Sequence, residues 1–242
     1  MKNLIAAIQF ITILPVGKSH GYDPKGMIPY FPVVGILLGG MTAVFDRLVL
    51  TVWPEPVVAL LDVLFLVLLT GAFHLDGLGD TADGLLGHRT KEKALVIMKD
   101  SRIGVMGLTA IIFGLSLKWA GIMSLDGNRS LLLVIVPAYA RAGMVFGIRY
   151  LNYGRSEEGI GHGFFGDSLK VSGFAGCLIP VILSVFLGWQ ALRLNFCFIL
   201  ITASILGYYK KRMGCITGDM LGAMNEVVES FLFLLIAAGG PE

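Results

Sequence analysis

Three aspartates within eight residues form the part of the sequence with the clearest capacity for chemistry. Asp76, Asp80 and Asp83 are spaced i, i+4 and i+7, so on an α-helix their side chains project within roughly 60° of one another. Like charges on one helix face repel each other, and a divalent cation between them would remove that repulsion. Ligands that are all oxygen atoms favour Mg²⁺, Mn²⁺ or Ca²⁺ over zinc. The alternative is a solvated acidic helix start, which the helix dipole stabilises.

A second polar stretch, Asp100-Ser101-Arg102, follows a basic segment. The guanidinium of Arg102 suits bidentate contact with a phosphate. The hydroxyl of Ser101 could cap the next helix. The stretch is therefore either part of a phosphate-binding site or a helix start.

Charged residues also lie inside apolar segments of the C-terminal half. Asp219 stands near the start of the last apolar segment, with Glu226 and Glu229 seven and ten residues further on. Asp219 could complete the metal shell, since acids within a membrane usually mark a site. Arg141 either pairs with one of these acids or points at an anionic ligand. His162, in a glycine-rich loop, is a weaker candidate for substrate binding.

The composition identifies a membrane protein. Hydrophobic residues make up 55% of the chain and charged residues 15%, and the mean hydropathy is +0.78, outside the usual range of soluble domains. The 32 glycines suit helices that approach closely. The three cysteines have no metal-ligand spacing, so they indicate neither a disulfide framework nor a zinc site. We expect one domain over residues 1–242, an all-α polytopic bundle.

The hydropathy pattern predicts about seven apolar segments after a short N-terminal one. Residues 4–16 are too short to span comfortably and lack a cleavage site, so they indicate an interfacial or re-entrant helix rather than a signal peptide. The seven predicted segments are 30–52, 57–73, 103–125, 131–150, 171–189, 196–209 and 220–238.

The loops between these segments differ in charge. Most lysines and arginines fall in alternate loops, which the positive-inside rule assigns to the cytoplasm, and the C-terminus would then lie outside. The aspartate stretch, residues 99–102, the loop at 159–167 and residues 217–219 all fall on the same side. They can meet in one cytoplasmic cavity, whereas a transport pathway would distribute polar groups through the depth of the bilayer.

Carboxylates that bind Mg²⁺, with arginines nearby, indicate phosphoryl-group chemistry. There, positioning and charge neutralisation do most of the catalysis. The sequence has no Ser/His/Asp or Cys/His arrangement and no P-loop or kinase signature. The phosphates are therefore expected to belong to a substrate rather than to ATP.

Four motifs spread over nearly the whole chain carry a family resemblance. They are residues 10–15 (FITILP), 74–84 (HLDGLGDTADG), 97–104 (IMKDSRIG), and 217–223 (TGDMLGA) followed by Glu226. In this combination the sequence resembles the adenosylcobinamide-GDP ribazoletransferases, also called cobalamin-5'-phosphate synthases. It departs from the family at Gly79, where alanine is usual, and at Val96, where a carboxylate is common; neither change removes a proposed ligand.

The resemblance implies the last step of corrinoid nucleotide-loop assembly at the inner membrane. α-Ribazole or its 5'-phosphate would react with adenosylcobinamide-GDP, GMP would leave, and Mg²⁺ would be required. It also implies roles for the residues above. The metal and the diphosphate would be held by Asp76, Asp80 and Asp83, with Asp219 as a further ligand; Arg102 or Arg141 would offset phosphate charge, and Asp100 would accept the hydroxyl proton.

Two other functions stay open. A CDP-alcohol phosphotransferase also uses an intramembrane aspartate cluster and Mg²⁺, but the two leucines after Gly84 stand where that family has Ala-Arg. A cation transporter could use the carboxylates as a pathway. The expected partners are the two small-molecule substrates and the lipid bilayer, with no nucleic acid, and the sequence leaves open whether the chain forms a homo-oligomer.

Overall fold

The structure is a computed structural model, and it describes residues 2–17, 23–155, 161–165 and 171–238. Within these ranges the regular elements are helical, which agrees with the all-α prediction, and one isolated bridge joins Tyr153 to Ile216. The α-helices are α1 (Lys2–Ile11), α2 (Pro24–Met27), α3 (Phe31–Val49), α4 (Glu55–Thr70), α5 (Phe73–Leu85), α6 (Lys91–Ile97), α7 (Val105–Met123), α8 (Arg129–Tyr150), α9 (Leu178–Ser184), α10 (Trp189–Arg212) and α11 (Gly218–Ala237).

Five described helices are long and apolar enough to cross a membrane. They are the continuous run Pro24–Val49, which contains α3, and helices α7, α8, α10 and α11; α4 and α5 together make a sixth if the bent pair is one span. A polytopic bundle is thus confirmed, but the predicted count of seven is wrong. The expected N-terminal helix is present as α1, a short apolar helix.

One miscounted segment is the one predicted at 171–189; the segment predicted at 57–73 counts as a span only if α4 and α5 form one bent pair. The segment at 171–189 consists of a 3-10 run (Val171–Cys177), α9 and a second 3-10 turn (Val185–Leu187), with Pro180 within α9. The next segment, predicted to be short at 196–209, is instead the 24-residue α10. Hydropathy detected both apolar runs, but it could not show that one is broken into short pieces and that the other extends through polar residues.

Glycines let the spans pack with their backbones in contact. A Cβ atom on Gly35 of α3 would lie 2.4 Å from the Cα of Ala138 in α8, and one on Gly39 would lie 2.4 Å from the carbonyl oxygen of Leu133. Residue numbers rise along α3 as they fall along α8, so the two helices are antiparallel. Such close approach maximises van der Waals contact where lipid removes the hydrophobic drive for association.

A buried ion-pair network joins three of the spans. Lys118 of α7 lies 2.7 Å from a carboxylate oxygen of Glu226 and 2.8 Å from one of Glu229, both on α11. The other Glu229 oxygen lies 2.9 Å from Arg141 of α8. Two cations face two carboxylates, so the network is neutral, as burial away from water requires. Arg141 thus takes the first of its two predicted alternatives and pairs with an acid.

A second ion cluster lies toward the end of the bundle that is opposite the aspartates of α5. There Arg129, at the start of α8, lies 2.6 Å from Asp46 of α3 and 3.1 Å from Asp62 of α4. The cluster therefore joins the C-terminal part of α3, the middle of α4 and the start of α8, away from the aspartates of α5.

The turn between α4 and α5 directs the aspartates across the bundle. Gly71 and Ala72 both have φ of +59°, in the left-handed region, and α5 leaves α4 at an angle of 92°. A left-handed alanine costs about 1–3 kcal/mol, so it persists only where the surrounding structure imposes it. As a result α5 lies across α7 and α11 instead of continuing along α4.

Candidate functional site

Two glycines allow α5 and α11 to cross in direct backbone contact. A Cβ on Gly77 would lie 2.7 Å from the carbonyl oxygen of Asp219, and a Cβ on Gly222 would lie 3.2 Å from the Cα of His74. His74 is fully buried, and its Nδ1 lies 3.2 Å from the side-chain nitrogen of Asn225. This crossing places Asp76 of α5 beside the N-terminus of α11, where Asp219 stands.

Asp76 and Asp219 line one cavity of about 330 Å³. Two basic side chains, Lys99 and Arg155, line it as well, together with aromatic rings and small residues. The remaining lining residues are Phe10, Phe31, Phe73, Gly77, Met144, Tyr153, Gly161, Phe164, Gly218, Leu221 and Gly222. The lining of the cavity therefore combines charged and aromatic side chains. We take this cavity as the candidate active site.

The charges of the cavity are arranged around Asp219. Its carboxylate accepts a hydrogen bond from Arg155, whose guanidinium also donates to the carbonyl of Met98 at 3.2 Å. Asp80 does not line the cavity, but its carboxylate is repelled by those of Asp76, Asp219 and Asp83 and attracted by Arg155. The carboxylates of Asp76, Asp80 and Asp219 thus lie within electrostatic range of one another, and within the described part of the chain neither Asp76 nor Asp80 forms an ion pair.

Asp83 stands apart from the cavity, although it shares a helix face with the other two aspartates. One of its carboxylate oxygens accepts the amide of Gly104 at 2.7 Å and the other accepts that of Gly107 at 2.9 Å. These amides begin α7, so Asp83 satisfies donors that a helix start leaves free. The N-cap residue of α7 is Gly104, so the prediction that Ser101 caps this helix is wrong.

Asp100, Ser101 and Arg102 lie in the loop before α7 and do not line the cavity. Arg102 donates to Asp100 at 2.6 Å, and its side chain is 86% exposed. The hydrogen bonds from Arg102 lower the pKa of Asp100 to about 2. A carboxylate with so low a pKa is a weak base, which argues against the predicted role of Asp100 as proton acceptor.

Two further predicted substrate-binding residues also lie outside the cavity lining. Arg141 is 1% exposed and pairs with Glu229. Its contacts are thus those of a structural residue, because a buried guanidinium needs a counter-charge. His162 is exposed, with its ring centroid 5.9 Å from that of Tyr153. Its neighbours Gly161 and Phe164 line the cavity instead.

Sequence reasoning missed the two cations of the cavity, Lys99 and Arg155. Arg155 was counted only as part of the charge bias of the loops, whereas Lys99 also fell in the stretch at residues 99–102 that was expected at the cavity. Lys99 had a detectable signal, since it lies within the motif at residues 97–104. Arg155 had none, because its partner Asp219 is 64 residues away along the chain.

The donor set of the cavity fits Mg²⁺. No group of three or more His, Cys, Asp or Glu side chains is arranged to hold a metal by itself in the described ranges. Mg²⁺ does not require such a cage, because it is usually bound by one or two carboxylates and takes its other ligands from water and substrate phosphates. Asp76 and Asp219 supply two carboxylates at one cavity. The arrangement can therefore hold a metal that is shared with a phosphate ligand.

Comparison with known proteins agrees with the sequence motifs. The family model described as cobalamin-5-phosphate synthase matches residues 3–237. The chain is 38% identical to the adenosylcobinamide-GDP ribazoletransferase of Alkaliphilus metalliredigens, over 99% of this chain and 97% of the relative. It is 35% identical to the protein of the same name from Clostridium novyi, over 98% and 96%. No solved structure matches the chain. The chain therefore belongs to the cobalamin-5-phosphate synthase family.

Proposed function

We propose that this protein transfers the adenosylcobinamide phosphate group of adenosylcobinamide-GDP to α-ribazole or its 5'-phosphate and releases GMP, the last step of nucleotide-loop assembly. Membership of the family makes the chain a transferase of cobalamin synthesis. The observation that carries the proposal is the cavity in which Asp76 and Asp219 lie together with Lys99 and Arg155. Carboxylates for a metal and cations for phosphates are what displacement at a diphosphate needs.

Asp76 and Asp219 are the residues that would hold Mg²⁺, and Asp80 lies close enough to add its charge. When bound, the metal would neutralise charge on the diphosphate and on the departing GMP. Arg155 has a second role, since its hydrogen bond fixes the position of the Asp219 carboxylate. Its planar guanidinium also suits contact with a phosphate, and Lys99 adds a second positive charge at the cavity.

The reaction also needs an acceptor for the proton of the attacking hydroxyl. A free ribose hydroxyl of the ribazole, which cannot be the 5'-hydroxyl when the acceptor is the 5'-phosphate, attacks the phosphorus that carries cobinamide, the bond from that phosphorus to the GMP oxygen breaks, and the proton passes to a carboxylate. Neither Asp80 nor Asp100 lines the cavity, but Asp80 interacts electrostatically with Asp76, Asp219 and Arg155 and is the better placed of the two for this role. Asp80 is half-buried on the helix that carries Asp76, whereas Asp100 lies in the loop before α7 and pairs with Arg102.

We further propose that the cavity opens to the cytoplasm in an inner membrane. It lies at the end of the bundle where α8 and α10 finish, and the last turn of α10 carries three basic residues, Lys210, Lys211 and Arg212. Arg212 donates to the carbonyl oxygens of Gly87 and Arg89, which follow α5. Basic residues concentrated at one end indicate the cytoplasmic side.

The test is release of GMP by the purified full chain in detergent, supplied with adenosylcobinamide-GDP, α-ribazole and Mg²⁺. We expect Asp76→Asn to lower turnover by at least about 100-fold, because it removes a charge that acts on the transferring group. Asp126→Asn is the matched control, since Asp126 is exposed at the opposite end of the bundle. Absence of GMP from the unmodified chain, with CMP released from a CDP-alcohol or cation flux into sealed vesicles, would overturn the proposal.

A further inference from the structure

Four phenylalanines from four separate elements form the aromatic part of the cavity. Phe10 belongs to α1, Phe31 to α3, Phe73 to α5 and Phe164 to a 3-10 turn, His162–Phe164. The ring centroids of Phe10 and Phe164 are 5.0 Å apart, those of Phe31 and Phe164 are 5.6 Å apart, and those of Phe10 and Phe73 are 6.0 Å apart. We call this group the phenylalanine wall. It is the part of the site that α1 and the turn at residues 162–164 contribute.

The phenylalanine wall belongs to the same cavity as the charged residues. Phe31 is 1% exposed and Phe164 is 4% exposed, so these two rings form the base of the wall, whereas Phe10 is half-buried and Phe73 is 46% exposed, so these two present more of their ring surface. All four rings line the cavity that Asp76 and Asp219 also line. A ligand that fills the cavity therefore has one part against carboxylates and cations and another part against aromatic rings.

The chemistry of the wall selects a flat apolar group. A phenylalanine side chain offers no hydrogen bond, so a polar group held against it would lose its bonds to water without replacement. A flat ring gains stacking or edge-to-face contact and buries apolar area. The wall is therefore suited to an aromatic ring that has few hydrogen-bonding groups.

The size of the cavity limits what the ring can belong to. About 330 Å³ is near the lower end of the range of ligand sites, about 300–1,000 Å³. That volume suits a group the size of a nucleoside, whereas a corrin macrocycle is too large and must lie outside. The proposed reaction has two flat groups of suitable size, the guanine of the donor and the base of the acceptor. Guanine carries several hydrogen-bonding groups, whereas the dimethylbenzimidazole of ribazole presents methyl groups and carbon edges.

We infer that the phenylalanine wall is the subsite for the base of the nucleoside acceptor, and that stacking there places the ribose hydroxyl toward Asp76 and Asp219. The inference rests on the proposed function. It gives α1 and the turn at residues 162–164 a role in acceptor selection, although neither contributes a charged group to the cavity. It also predicts that an apolar benzimidazole nucleoside binds more tightly than a nucleoside with a polar base.

The test compares Phe164→Leu with Phe164→Tyr and with Phe45→Leu. Leucine keeps an apolar side chain but removes the ring, whereas tyrosine keeps the ring. Phe45 is the matched control because its ring stacks on that of Phe65 at 4.4 Å and lines a different groove. We expect Phe164→Leu to raise the KM for α-ribazole about tenfold, with kcat and the KM for the donor nearly unchanged. Phe45→Leu should behave like the unmodified chain, whereas Phe164→Tyr, which keeps the ring, should raise the KM for α-ribazole less than Phe164→Leu does.

A second readout does not depend on turnover. Equilibrium dialysis of α-ribazole against the full chain without Mg²⁺ should show the same tenfold weakening in Phe164→Leu, and adenosine should compete poorly. A higher KM for the donor instead of the acceptor, or unchanged acceptor binding with only a lower melting temperature, would overturn the inference. These outcomes are distinct from failure of the proposed function, in which the unmodified chain releases no GMP although it still binds α-ribazole.

Discussion

Gly77 lies where α5 and α11 are in closest contact, and replacing it tests whether that contact positions the aspartates. In Gly77→Ala, the added methyl group would lie 2.7 Å from the carbonyl oxygen of Asp219 and 3.1 Å from its Cα. Both are backbone atoms, which cannot move aside as the end of a flexible side chain can. The two helices must therefore separate locally, and Asp76 and Asp219 are carried on opposite sides of that contact.

The size of the effect follows from the distances. The methyl group would be about 0.7 Å short of the 3.4 Å at which ordinary contact begins. Because a misplacement of about 1 Å in a catalytic constellation can cost roughly 100-fold, we expect kcat/KM to fall by about 10- to 100-fold. Gly222→Ala should cost less than about threefold, since its methyl group would lie 3.2 Å from the Cα of His74.

The assay is steady-state GMP release by the purified variants, with melting temperature measured on the same samples. Gly207→Ala is the control, because a Cβ at Gly207 in α10 would meet no atom within 4 Å; its activity should equal that of the unmodified chain. If Gly77→Ala retained activity within twofold of the unmodified chain, the close helix contact would not be what positions the two aspartates.

Three further variants test the charges. Glu229→Gln leaves two buried cations with one carboxylate, so the free energy of unfolding should fall by about 3–5 kcal/mol in thermal unfolding in detergent. An unchanged melting temperature would show that the ion-pair network does not stabilise the fold. Arg155→Met removes the partner of Asp219 and should raise the KM for the donor by roughly tenfold or more. A KM equal to that of the unmodified chain would show that Arg155 does not take part in donor binding. Asp100→Asn should keep turnover within about twofold, since exposed pairs contribute little, and a loss above tenfold would restore Asp100 as proton acceptor.

The class of fold and the family could be predicted from the sequence because both rest on signals that do not depend on tertiary contacts. Hydropathy identified the apolar segments, and the family motifs are continuous stretches. The count of spans failed at residues 171–189, where a proline and two 3-10 runs break an apolar segment that hydropathy alone reads as one helix.

The candidate site was predictable only in part, for a physical reason that the aspartates illustrate. Helical periodicity correctly places Asp76, Asp80 and Asp83 along one face of α5, but what each carboxylate meets depends on neighbouring helices. Asp83 accepts hydrogen bonds from amides at the start of α7, whereas Asp76 lines the cavity. Lys118, which neutralises the acids of α11, was likewise missed, because its partners are more than 100 residues away in sequence.

The central claim is that Asp76 and Asp219 together hold Mg²⁺ at the diphosphate of the donor. It is tested most directly by the Mg²⁺ concentration that gives half-maximal GMP release. We expect excess EDTA to stop release by the unmodified chain, and Asp76→Asn and Asp219→Asn each to require at least about tenfold more Mg²⁺, while Asp126→Asn behaves normally. GMP release that persists in excess EDTA, or an unchanged Mg²⁺ requirement in both variants, would contradict the claim.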